Sequence, residues 1–186
     1  MLPNNLVEVR KNHRFDLKKF TKWFNKNVLN YGELISIRQF VGGQSNPTFV
    51  ISFENKESLI LRKKPPGKLL PSAHAIEREY KVQKALENSI VPCPKMIKLC
   101  EDSNIIGTPF YIMNIIEGRV FEGILDINEK DGRMKYYFDL VHMLANLHNV
   151  DFLSIELEDF GRIGSYINRQ ISRWEKQWHL SKQREL

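Results

Sequence analysis

Apolar residues recur at two periods along this chain, and the switch between them divides it. Leu17, Phe20, Phe24 and Val28 stand at helical spacing. Asp16 precedes them as an N-cap, Phe15 and Phe20 are placed to close a hydrophobic staple, and Asn30-Tyr31-Gly32 ends the run. The period then drops to two. Leu34 to Val41, Thr48 to Phe53 and Ser58 to Lys63 alternate as strands. The turns Gly42-Gly43-Gln44-Ser45-Asn46-Pro47 and Asn55-Lys56-Glu57 join them, which predicts an antiparallel meander. Ser72 can cap a helix over 73–87, and Pro92, Cys93 and Pro94 stop helical structure. Lys95 to Cys100 and Pro109 to Ile116 read as two more strands, separated by Glu101-Asp102-Ser103-Asn104.

After Glu117-Gly118 the helical period returns. Asp126 and Glu129 have capping-box spacing, and a long apolar stripe runs from Met134 to Val150. Asp159-Phe160-Gly161-Arg162 is a loop, and Ile167, Ile171, Trp174 and Trp178 share one face of a last helix. The predicted class is α+β. Residues 1–117 form a five-stranded antiparallel sheet with a leading helix and one inserted helix; 118–186 hold helices only. Ser181 to Leu186 carries no stop signal, and two amphipathic helices cannot cover both of their own faces. The chain is therefore expected to stop inside its second domain, leaving the Trp174 and Trp178 stripe open to self-association.

Composition narrows the class. Of 186 residues, 42% are hydrophobic and 27% charged, enough apolar material to exclude overall disorder. No window nears the ~18 uncharged apolar residues of a membrane span, and mean hydropathy is −0.39. Met1 to Glu8 lacks the pattern of a signal peptide. Cys93 and Cys100 are too few for a disulfide framework, and no neighbouring His or Cys completes a metal set. A reducing, cytoplasmic setting without membrane attachment is the expectation. The net charge of +6 favours an anionic partner without choosing among nucleic acid, nucleotide and acidic lipid. Arg62-Lys63-Lys64-Pro65-Pro66-Gly67-Lys68 places four cations in one short loop, which is equally a solvated turn after a strand. No nucleic-acid motif accompanies it, so no nucleic-acid partner is expected.

Helix geometry supplies the sharpest clue. At ~100° per residue from Ile76, Glu79 falls near 300°, along the apolar face with Val82 and Leu86, whereas Glu77 falls near 100° and outside it. A carboxylate facing a core must be neutralised or paired. On the preceding strand Ile60 and Arg62 share one face. That face suits a nucleotide, with Ile60 against the base and Arg62 toward phosphate, held by an Arg62–Glu79 ion pair; a purely structural pair is the alternative. Gly42 to Asn46 can bring backbone N–H groups close to phosphate oxygens, although two-glycine hairpins also occur without such a ligand, and this one is no Walker A loop.

Order and spacing together are more specific. A glycine turn between two strands, a cation on the third, a helix with an inward Glu and two more strands match the small lobe of kinases. The chain resembles the aminoglycoside phosphotransferase/choline kinase-like family, which has a protein-kinase-like fold. Within it the chain is most similar to the phosphotransferase modules found alone in bacteria and fused ahead of acyl-CoA dehydrogenase domains in some eukaryotic proteins. The match lies in Gly42 to Thr48, Leu61 to Gly67, Ser72 to Tyr80, Gly107 to Met113, Leu144-Ala145-Asn146-Leu147-His148 and Asp159 to Arg162. The resemblance implies that Gly42, Gly43, Gln44, Ser45 and Asn46 cover the phosphates of ATP. Arg62 stands where most of the superfamily has a phosphate-contacting Lys, and Glu79 is its partner. Met113, Asn114 and Ile115 would be the hinge that reads adenine.

Asp159-Phe160-Gly161 spells a magnesium-binding triplet but lacks the Asp and Asn that should precede it, so it is taken as a turn. His148 falls on the apolar side of its helix and is expected to face the core as a structural residue. The family's His-Gly-Asp catalytic loop and later metal-binding Asp have no counterpart here. No catalytic or metal residue is therefore assigned, and Mg²⁺ is expected only in a longer protein. The implied function is the nucleotide-binding portion of an ATP-dependent kinase acting on the hydroxyl of a small molecule, with a hydroxylated acyl-CoA as a candidate. The alternative is a non-catalytic nucleotide-binding or protein-interaction module.

Overall fold

A computed structural model describes residues 5–42, 45–54, 56–67, 73–118, 121, 130–162 and 164–181. Met1–Val150 and Asp151–Leu186 form two compact units. In the first, α1 (Leu17–Asn27) begins as the sequence predicts. The Asp16 side chain accepts from the Lys19 N–H at 3.1 Å, and the Phe15 and Phe20 rings meet edge to face at 5.7 Å. Phe20, Phe24 and Val28 are buried, but Leu17, on the same side in the first turn, is exposed.

The sheet contains β1 (Leu6–Val7), β2 (Leu34–Phe40), β3 (Thr48–Phe53), β4 (Lys56–Lys63), β5 (Met96–Cys100) and β6 (Phe110–Asn114). Its order is β1-β2-β3-β4-β6-β5, and every neighbouring pair is antiparallel. Six strands replace the five expected. The addition, β1, pairs Leu6 with Phe40 and Val7 with Gln39; two residues are too short to show a period of two. Lys56 and Glu57, expected in a turn, already belong to β4. Between β5 and β6 the polar run forms a one-turn helix, α3 (Ser103–Ile106). Asp102 caps it, and Gly107 closes it at φ 86°, a left-handed conformation suited to glycine. α2 (Ile76–Leu86) starts later than predicted, with Ala75 at the N-cap and no side-chain cap bond. Ser72, Asp126, Glu129 and residues 182–186 lie outside the described residues.

Alternation along the strands gives the sheet two unlike faces. On one, Phe49, Ile51, Phe53, Leu59, Leu61, Phe110 and Ile112 pack with Phe20, Phe24 and Val28 around α1. Aromatic rings dominate there; Trp23 lies edge-on to Phe110 at 4.8 Å and Phe24 stacks on Phe53 at 5.0 Å. On the other, Val50 and Ile60 pack with Leu6, and Tyr111 packs with Met96 and Ile76 of α2.

α4 (Lys130–His148) follows in the first unit, and α5 (Tyr166–Ser181) lies in the second. His148 is exposed, against expectation. Apolar residues occur around most of α4, and Phe138, Leu140, Val141 and Leu144 are exposed with it, so the stripe that was to bury His148 is itself uncovered. On α5, Ile167, Ile171, Trp174 and Trp178 are exposed. Asp159 and Phe160 lie in a turn, as expected. No helix among the described residues is long and apolar enough to cross a membrane.

Candidate functional site

The register of three strands builds a polar cluster on the α2 face. Arg62 of β4 lies opposite Thr48 of β3 on one side and Tyr111 of β6 on the other. Side chains of directly opposed residues fall within reach of one another, so Arg62 has a hydroxyl on each flank. Glu79, on the first turn of α2, completes the arrangement.

Arg62 Nε donates to Glu79 Oε2 at 2.8 Å, and Nη2 reaches Oε1 at 3.4 Å. This is the ion pair expected from the sequence. Nη1 donates to the Asn46 carbonyl at 3.1 Å and to Thr48 Oγ1 at 2.9 Å. The guanidinium therefore joins the glycine turn, β3 and α2 through a planar fork of donors, a geometry that a lysine ammonium lacks. Glu79 is equally occupied. Asn46 Nδ2 donates to Oε1 at 2.7 Å and the Tyr111 hydroxyl to Oε2 at 3.1 Å, while Gln83 Nε2 donates to the Tyr111 oxygen at 3.3 Å.

The Arg62 and Glu79 side chains remain 28% and 32% exposed, so the pair itself adds about 1 kcal/mol or less to stability. Its value is geometric. Burial pushes the Glu79 carboxyl up, but hydrogen bonding and charge from Arg62, with the Asn46 and Tyr111 donors, outweigh it and hold the group below the usual carboxylate range. Burial first, then the nearby Glu79 charge, drive the Tyr111 hydroxyl up to about 12, so it stays a donor.

The other predicted residues divide around this cluster. Asn46 is buried at 2% exposure, whereas Gly42 and Ser45 are exposed in the turn; Gly43 and Gln44 lie outside the described residues. Among the described residues, a Cβ added to Gly42 would meet nothing within 4 Å. Ile60, Met113 and Ile115 meet in one apolar cluster with Leu6 and Val50, and Ile60 is only 4% exposed. Asn114 donates its N–H to the Lys95 carbonyl at 2.9 Å, which ties it into the sheet; Ile115 lies just past the end of β6. Just beyond Arg62, Lys64 Nζ approaches Glu77 at 3.5 Å.

Sequence reasoning missed Thr48, His74, Gln83 and Tyr111. His74 Nδ1 lies 3.1 Å from Asn46 Oδ1. A polar residue opposite a strand cation is a signal for Thr48 and Tyr111, but only once register is known. Gln83 stands one helical turn after Glu79, a spacing that places both on one side of α2.

The sheet, the inserted helix and the Arg–Glu pair define a kinase-like phosphotransferase domain. Residues 36–186 match the model of the phosphotransferase enzyme family, and the chain belongs to that family. A solved structure of an aminoglycoside phosphotransferase from Ralstonia eutropha JMP134 superposes with a TM-score of 0.74 at 38% identity, over 92% of this chain and 50% of that one. The chain is 39% identical over 183 residues to acyl-CoA dehydrogenase family member 11 of Homo sapiens, covering 96% of this chain and 23% of that protein. It is 45% identical over 148 residues to acyl-CoA dehydrogenase family member 10 of Mus musculus, covering 79% of this chain and 14% of that protein. The chain thus spans less than a quarter of these curated relatives.

Proposed function

We propose that this chain binds ATP and forms the nucleotide-holding part of a phosphotransferase acting on the hydroxyl of a small molecule. The observation that carries the proposal is the three-way tie of Arg62 to Glu79 and to the Asn46 carbonyl, which sets the glycine turn beside a fixed positive charge. Backbone N–H groups of the turn would face the phosphates, and the Arg62 guanidinium would add its positive charge beside them. Ile60, Met113 and Ile115 would lie against the base. ATP would supply the phosphoryl group, with Mg²⁺ as its counter-ion. The names of the dehydrogenase relatives favour a hydroxylated acyl-CoA as acceptor.

The test is ATP binding by the whole chain, measured calorimetrically for the wild type and Arg62→Ala. The expected result is wild-type binding weakened at least about tenfold by the substitution, the worth of one charge-assisted hydrogen bond. Equal affinities would remove the phosphate role. The exposed Ile167, Ile171, Trp174 and Trp178 favour a second reading, a protein-interaction module. Wild-type chain that self-associates and binds no ATP would support that reading instead.

A further inference from the structure

Asn46 closes the glycine turn, and both ends of its buried side chain are bonded. The Glu79 carboxylate can only accept, so the atom facing it is Nδ2. Oδ1 then faces His74 and must accept in turn, which requires the proton on Nδ1 of the imidazole. A directed relay follows: His74 donates to Asn46, and Asn46 donates to the carboxylate that holds Arg62. The Asn46 carbonyl receives Arg62 Nη1 and Thr48 Oγ1 from the other side.

His74 sits at φ 56°, in the left-handed region that a side chain with a Cβ disfavours. Glycine would adopt this conformation without strain. What the histidine adds at this position is the bond to Asn46.

We infer that His74 is a positioning residue for the glycine turn, acting through Asn46 to fix its closing residue over the Arg62–Glu79 pair. Its effect on ATP rests on the proposed function; its effect on the turn does not.

His74→Gly and His74→Ala in the 186-residue chain test this. The readouts are melting temperature, exchange of the Asn46 side-chain amide protons by NMR, and affinity for ATP with Mg²⁺. Exchange should rise at least about tenfold in both variants, as expected for one lost hydrogen bond. Melting temperature should fall for Ala and hold or rise for Gly, since only Gly relieves the backbone. Affinity for ATP should weaken about tenfold in step with the exchange. His74→Asn, which tolerates the left-handed backbone and keeps a donor, should restore slow exchange. Unchanged Asn46 exchange in the Gly variant overturns the inference. So does loosening spread across β3 and β4 with a lower melting temperature, because the histidine would then only support the fold. Faster exchange with undiminished ATP affinity overturns the positioning role. If the wild type binds no ATP, the nucleotide proposal falls, and exchange with its Asn rescue alone decides the role of His74.

Discussion

Arg62 and Lys63 are adjacent in sequence and meet opposite faces of one sheet. Arg62 stands among Glu79, Asn46, Thr48 and Tyr111, with every nitrogen of its guanidinium bonded. Lys63 is 2% exposed on the aromatic face, its Nζ 5.4 Å from the centre of the Phe15 ring, and forms no salt bridge among the described residues. Burial pulls the Lys63 ammonium below its usual range. One cation is surrounded by groups that use its charge. The other is tolerated because an aromatic ring lies beneath it. The difference separates a face built for polar chemistry from one built for packing, and each can be attacked separately.

The packing face should give the largest effect. Phe20 is fully buried and touches Phe15, Trp23, Phe24 and Phe110. Phe20→Ala should cost about 3–5 kcal/mol, a large share of the ~5–15 kcal/mol that holds a domain together. Thermal denaturation followed by circular dichroism measures it. A loss below about 1 kcal/mol would mean that the α1 face is not the foundation of the sheet.

On the polar face, Glu79→Gln keeps the shape and removes the charge. Because the pair is partly solvated, a cost of about 1–2 kcal/mol is expected, below that of a deeply buried pair. The effect should depend on acid. Glu79 has a folded pKa below its unfolded value near 4.5, so the native state holds fewer protons than the unfolded one as pH falls past 4.5. Its contribution is full above that value and disappears as pH falls through the folded pKa. Denaturant melts from pH 7 down to pH 3 should show the wild type converging on the variant. A constant gap would place the carboxylate outside the network.

The two faces were not equally legible from sequence. Periodicity identified Phe20, Phe24 and the alternating strands, because burial imposes spacing on apolar residues. Helical angles brought Glu79 inward toward Arg62, since a charge on an apolar stripe conflicts with its surroundings. Tyr111 and Thr48 reach Arg62 only through strand register, which depends on pairings between residues 14 to 49 positions apart. Local pattern carries no such information. His74 was harder still, because its role lies in a left-handed backbone and one bond across 28 positions. Leu17 and His148 failed for a different reason: a helical stripe says which residues share a side and does not supply the element that covers them.

The smallest effect should reverse in sign between the two neighbours. Lys63→Met replaces a buried ammonium with an apolar chain of similar length, and a gain of up to about 1 kcal/mol is expected at neutral pH. Arg62→Met should destabilise, since it leaves the Glu79 carboxylate without its cation. The pH dependence gives Lys63 a second signature. With its folded pKa below the unfolded value near 10.5, the unfolded chain holds more protons between the two, so wild-type stability gains from Lys63 as pH rises toward 10.5. Tyr111 acts the other way, losing its contribution as pH climbs from about 10 to about 12, but it is present in both proteins and cancels in their difference. The advantage of Lys63→Met should therefore shrink between neutral pH and pH 10 in paired denaturant melts. If the substitution instead costs stability at every pH, Lys63 has an ionic partner as demanding as that of Arg62, and the contrast between the faces disappears.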